Sequence, residues 1–205
     1  MENVASFLLR DKDMPLSERS SCSEYFDAAV TRAFQKNRSS MRILDAGTGR
    51  GSTASYLRSL GYNTIDALTV SRERLDNAER SGLYRNVIFT ALKANSTLCA
   101  TGAFDAVICA DGVFPDQVDP DAIDEMLRLV KRGGIVCFTM NAAQFDSANN
   151  SYRLKCDNLI VSGKWKLISQ GITTNQEDKE NNSTYDNTKL PEDCYVLVFM
   201  VIDNY

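Results

Sequence analysis

Short apolar runs alternate with amphipathic stretches along most of this chain, and the last two apolar runs have no helix between them. Met41 to Ala46, Asn63 to Val70, Asn86 to Leu92, Phe104 to Ala110 and Gly134 to Asn141 each read as a strand. The stretches between them read as helices. One runs from Ser52 to Leu60 and is stopped by Gly61. A second is capped by Ser71 and ends near Gly82. A third opens at Asp119, with Pro120 in its first position. In that helix Ile123, Met126, Leu127 and Val130 fall at i, i+3, i+4 and i+7, and Lys131, Arg132 and Gly133 close it. This alternation predicts an α/β fold with a mostly parallel sheet and helices on both faces. After a further helix, Ser147 to Ser162, the runs Trp165 to Ile172 and Tyr195 to Ile202 follow each other directly. With no crossover helix available, they are expected to pair antiparallel.

At the other end, Ser21 and Glu24 fit a capping box that opens a helix from about Cys22 to Lys36. The expected organisation is a single domain over 1–205, with an N-terminal helical cap over 1–40. Residues 173–193 hold six acidic residues and two lysines, too polar to bury, and read as a mobile loop.

Composition excludes several chemistries. The chain has no histidine, which removes Ser-His-Asp and Cys-His catalysis, most zinc chemistry and any imidazole base. Its formal net charge of −4 provides no basic face for nucleic acid. No apolar run approaches the roughly 20 residues a membrane-spanning helix needs, so no membrane partner is expected. The apolar patch Val4 to Leu9 lacks a basic start and is shorter than a secretory core, so a cytoplasmic location is expected. The six cysteines are scattered without a C-x-x-C, as expected of reduced structural thiols.

The chemistry concentrates in Asp45-Ala46-Gly47-Thr48-Gly49-Arg50-Gly51, between the first strand and its helix. Glycines let the backbone turn tightly there and let a ligand approach without Cβ contact. The spacing is not that of a dinucleotide fingerprint, whose third glycine would fall on Ser52, and no phosphate-loop string exists. Asp45, two residues before the first glycine, repels a pyrophosphate and attracts a cationic guest. S-adenosylmethionine, with an ammonium and a sulfonium and no phosphate, fits that preference. A plain tight turn in another α/β protein is the alternative reading of this string alone.

Longer phrases carry a resemblance. RILDAGTGRG, GYNTIDALTVSRERLDNAERSGLYRNV, FDAVICADGVF, DEMLRLVKRGGIVCFTMN and YRLKCDNLIVSGKWKLIS resemble the methyltransferase-like family named for the Williams–Beuren syndrome region, within the class I S-adenosylmethionine-dependent methyltransferases. The likeness runs from about Tyr25 to Ile202. It implies a Rossmann-like, seven-stranded, mostly parallel sheet with one antiparallel strand. It also implies S-adenosylmethionine as cofactor and a small molecule or protein side chain as methyl acceptor. Asp45, Gly47, Thr48, Gly49 and Gly51 would form the floor beneath the cofactor's methionine end. Thr69 and Val70 would lie by the ribose, Leu92 by the adenine, and Asp111 by the methyl, as the candidate catalytic residue.

Two positions depart from the family pattern. Thr69 and Leu92 stand where acidic residues usually hold the ribose and flank the adenine. Asp66 lies about 10 Å down its strand at ~3.3 Å per residue, too deep to substitute, and reads as a polar residue facing a helix or solvent. Hydroxyls of Thr69 and Ser71, or Glu73, are the candidate replacements. Tyr25 and Asp27 are lesser candidates for a base, with packing of an aromatic helix face as the competing account. The missing acids also allow a second class of function, a catalytically silent scaffold that binds a protein partner. A nicotinamide oxidoreductase is disfavoured by Ser52 and Asp45.

Overall fold

The computed structural model describes residues 21–34, 37–48, 51–95, 97–110, 119–147, 150–174 and 193–204. Seven strands form one sheet: β1 Arg42–Ala46, β2 Thr64–Thr69, β3 Val87–Phe89, β4 Phe104–Cys109, β5 Val130–Asn141, β6 Trp165–Thr174 and β7 Asp193–Val201. Their spatial order is β3-β2-β1-β4-β5-β7-β6. The pairs from β3 through β5 are parallel, and β7 runs antiparallel to both its neighbours, β5 and β6. This is the expected architecture, with β7 as the single reversed strand. The helices are α1 Cys22–Ala33, α2 Ser52–Ser59, α3 Arg72–Ser81, α4 Ala122–Leu129, α5 Ala142–Phe145 and α6 Ser151–Val161.

Strand alternation builds two cores, one on each face. Along β5, Ile135 and Cys137 join Cys22, Phe26, Ala29, Val30 and Leu57 of α1 and α2. Val136, Phe138 and Met140 face the other way and join Ile123, Met126, Tyr152 and Cys156 of α4 and α6. Trp165 stacks on Phe199 there with ring centroids 4.0 Å apart. The amino ends of the strands are tied by charge. Arg42 Nε donates to the fully buried Asp66 at 2.9 Å, and Asn86 Nδ2 donates to the other Asp66 oxygen at 2.9 Å. Asp66 therefore faces neither helix nor solvent. It is a buried link between β1, β2 and the approach to β3.

Local signals place most boundaries. The Ser21–Glu24 capping box is present, Ser71 accepts from Arg74 N–H, and Gly82 ends α3 in the left-handed region. Four expectations need correction. First, α1 ends at Ala33 rather than near Lys36, because Phe34 is already extended. Second, Asp119 does not cap α4. Its carboxylate accepts from Asp121 N–H at 2.9 Å, a local turn that moves the helix start to Ala122, with Asp121 as N-cap. Third, β5 starts at Val130, not Gly134. Val130 pairs with Phe104, and a register shift follows before Ala106 meets Ile135. Gly134 serves that irregularity, since a Cβ there would lie 2.5 Å from the Asp105 carbonyl. Fourth, the helix expected over Ser147 to Ser162 starts only at Ser151, where the Asn150 side chain caps it, and a separate short helix, α5, capped by Asn141, precedes it. Of the polar segment 173–193, Thr173, Thr174 and Asp193 belong to strands and 175–192 lie outside the described residues, as do 1–20.

The close approach of α1 to β6 requires a glycine at 171. A Cβ on Gly171 of β6 would land inside the Tyr25 ring. Gly171→Ala is expected to lower stability by roughly 1–3 kcal/mol, an overpacking cost. The same substitution in a Tyr25→Ala background should cost far less, because the clash partner is gone. Urea unfolding of the four proteins measures this coupling.

Candidate functional site

The parallel strands β1, β2 and β3 end along one edge of the sheet. Their registry, Asp45 beside Ala67 and Thr69 beside Phe89, gathers the sequence-predicted residues there. Open α/β sheets bind ligands at such carboxyl edges. Immediately after β1 the chain bends. Gly47 has φ +82° and Gly51 φ +87°, both in the left-handed region that glycine tolerates. Gly47 N–H donates to the Leu68 carbonyl at 2.8 Å, which folds the bend onto the end of β2. Gly51 is the N-cap of α2 and has no side chain to satisfy the first N–H groups of the helix.

Asp45 is 3% exposed, yet it is a carboxylate at the base of this bend. Tyr84 Oη donates to its Oδ2 at 2.9 Å. Thr48 is buried too, and its Oγ1 finds no hydrogen-bond partner among the described residues. A buried hydroxyl left unpaired is costly, and such an orphan points to a partner that arrives with a ligand. Cys109, at the end of β4, underlies Gly47: its Sγ lies 3.9 Å from where a Cβ would stand.

The other sequence-predicted residues lie around this bend. Thr69 is buried, with its Oγ1 accepting from Ser71 N–H at 3.2 Å. Among the described residues its own hydroxyl proton has no acceptor and can donate. Val70 is 64% exposed, an apolar side chain presented to solvent just past β2. Leu92 follows β3 and packs partly against the core shared by α4 and α6. Glu73 is exposed in the first turn of α3. Gly49 and Asp111 lie outside the described residues. Tyr25 and Asp27 are not at this edge. Tyr25 packs on Gly171, and burial raises its phenol above the ordinary range. Asp27 is held by Arg38 Nε at 2.8 Å and by Tyr62 Oη at 2.7 Å. The packing account fits Tyr25, while Asp27 is taken up by its ion pair.

Residues 43–134 match the general methyltransferase-domain family. Together with the strand order, the reversed β7 and a 30%-identical relative that matches 67% of this chain, that match decides the class. The chain belongs to the class I methyltransferase fold family. The human Methyltransferase-like protein 27 is 30% identical over 141 residues, covering 67% of this chain and 56% of the relative. The chain thus spans about half the length of that protein. Among solved structures, the [4+2]-cyclase SpnF superposes with a TM-score of 0.60 at 16% identity, covering 92% of this chain and 86% of the other. A TehB-like SAM-dependent methyltransferase from Corynebacterium glutamicum superposes with a TM-score of 0.58 at 17% identity, covering 88% and 86%. These two likenesses concern the fold.

Two parts of this methyltransferase-fold edge escape sequence reasoning. One is the Leu83-Tyr84 pair. The Gly-Leu-Tyr-Arg-Asn phrase is visible in the sequence, but its contact with the bend is not. A Cβ on Gly51 would lie 3.2 Å from Leu83 Cδ1 and 3.8 Å from Tyr84 Oη, so this segment backs the glycine turn as well as holding Asp45. The other is a clamp on the loop after β3. Glu125 of α4 is fully buried and accepts from Asn95 N–H at 2.9 Å, Thr97 N–H at 3.1 Å and Arg128 Nε at 2.8 Å. Burial pushes the Glu125 carboxyl up, but hydrogen bonds from Arg128 and Thr97 outweigh it and hold the group down to about 2. The Glu125–Arg128 spacing of three is a sequence signal for an ion pair, not for its loop partners.

Proposed function

We propose that this chain binds S-adenosylmethionine at the bend after β1 and catalyses methyl transfer to a small molecule or a protein side chain. The observation that carries the reading is a buried carboxylate, Asp45, beside an orphaned buried hydroxyl, Thr48 Oγ1, on a turn of left-handed glycines. A buried carboxylate in the floor suits a cationic amino-acid end and opposes a diphosphate. Asp45 would hold the ammonium side, directly or through water, Thr48 would pair its hydroxyl with the same end, and Thr69 would donate to a ribose oxygen. When bound, the cofactor supplies a methyl group on a sulfonium. Transfer from such a centre depends mainly on in-line placement of the acceptor, so a chain without histidine is not handicapped. Asp111 is the proposed residue that orients the acceptor or takes its proton. A cytosolic setting fits six free thiols.

Calorimetric titration with S-adenosylmethionine and its demethylated product tests the binding, and transfer of a labelled methyl group tests the activity. No heat and no thermal shift at millimolar cofactor would overturn the reading. Thr69→Asp is expected to tighten cofactor binding by about tenfold, because a charged hydrogen bond replaces a neutral one. The same titration measures it.

The second reading, a silent scaffold for a protein partner, is favoured by one observation. At the two positions where the fold usually places acids, the side chains are the hydroxyl of Thr69 and the hydrocarbon of Leu92. Micromolar binding by the unaltered chain would remove its main support.

A further inference from the structure

We propose that Cys22 and Cys137 form a reversible oxidation site that reacts with hydrogen peroxide and closes to a disulfide. Cys22 is the first residue of α1, and Cys137 lies in the middle of β5, between Ile108 of β4 and Val198 of β7. Their sulfurs are 3.6 Å apart. A disulfide bond is about 2.05 Å long, so the sulfurs need to close by only about 1.5 Å. The Cys137 thiol also points at the Cys22 carbonyl, with Sγ 3.9 Å from the oxygen. The two side chains are therefore aimed at each other across the seam between helix and sheet. Nothing in the methyl-transfer reading uses them, since they lie in the core formed with α1 and α2 and not at the glycine bend.

The chemistry balances with the peroxide as oxidant. Cys22, which keeps a trace of exposure in the first turn of α1, attacks one peroxide oxygen as its thiolate. The O–O bond breaks, Cys22 becomes a sulfenic acid, and the departing hydroxide takes a proton and leaves as water. The Cys137 sulfur then attacks the Cys22 sulfur. The S–O bond breaks, and the Cys137 proton leaves with that oxygen as a second water. Two thiols lose two electrons and two protons, and the peroxide is reduced to two waters. The bond would join residues 115 apart and staple α1 to the sheet.

The test treats the purified chain with hydrogen peroxide, unfolds it, and alkylates it with N-ethylmaleimide. Two fewer adducts than the six of the untreated chain are expected, with Cys22 and Cys137 peptides linked in the digest. The melting temperature should rise by roughly 5–10 °C, and dithiothreitol should reverse both changes. Cys137→Ala should stop at a Cys22 sulfenic acid that dimedone traps. Cys22→Ser should keep all its remaining thiols alkylatable, a control that holds even if the first variant does not fold. Six adducts after peroxide, a sulfinic acid in place of the linkage, or a bond between other cysteines would each overturn the proposal.

Discussion

Replacing Glu125 with alanine is expected to lower stability by about 3–5 kcal/mol, the cost of breaking a buried ion pair by removing one partner. Arg128 would keep its guanidinium in place without the carboxylate that neutralises it, and Asn95 and Thr97 would lose the acceptor for their N–H groups. Glu125→Gln should recover part of the loss, since it can still accept. The effect should also appear in pH. The Glu125 carboxyl has its folded pKa depressed to about 2 from an ordinary value of about 4.5. Its contribution is therefore fully present above pH ~4.5 and is lost as pH falls toward about 2. Denaturant midpoints of the unaltered chain and of Glu125→Gln should converge over that window. Equal midpoint differences at pH 7 and pH 3 would refute the assignment. Because the clamped loop follows β3, the alanine variant should also bind cofactor more weakly than its residual folded fraction explains.

The second large effect is on cofactor affinity. Asp45→Asn keeps the shape of the side chain and removes its charge, and is expected to weaken S-adenosylmethionine binding by about tenfold to a hundredfold. That range corresponds to one charged hydrogen bond. Tyr84→Phe should act through Asp45, with a smaller loss, because it leaves the carboxylate charged but without its 2.9 Å donor. If Tyr84 and Asp45 act as one unit, the double variant should be no weaker than Asp45→Asn alone. Calorimetry on the three variants measures the coupling. Additive losses would mean that Tyr84 contributes by backing Gly51 rather than by holding Asp45.

What was legible in the sequence was what depends on near neighbours. The Ser21 box, the Ser71 cap and the Gly82 stop are local chemistry, and each sits where it was read. The antiparallel pairing of β6 and β7 was legible because a missing crossover helix is itself a sequence feature. Asp45, Gly47, Thr48 and Gly51 were legible as one bend because a single turn carries them all. What escaped depends on partners far along the chain. Val130 continues the apolar stripe of α4, yet its backbone pairs with Phe104, 26 residues earlier, and becomes strand. Asp66 read as facing a helix or solvent until Arg42 and Asn86 came to it. Tyr84 reaches Asp45 across 39 residues, and Glu125 reaches Thr97 across 28. Periodicity carries no record of such meetings.

The placement of β7 has a consequence for how the molecule is made. This strand comes last in chain order but lies between β5 and β6. On the ribosome, β6 emerges with no neighbour to join, and waits until residues 193–201 have been synthesised before either strand can enter the sheet. Trp165 and Phe199 meet only at that moment. A chain cut short before Asp193 would therefore forfeit two strands rather than one, and would leave Phe138 and Met140 of β5 beside an open sheet edge.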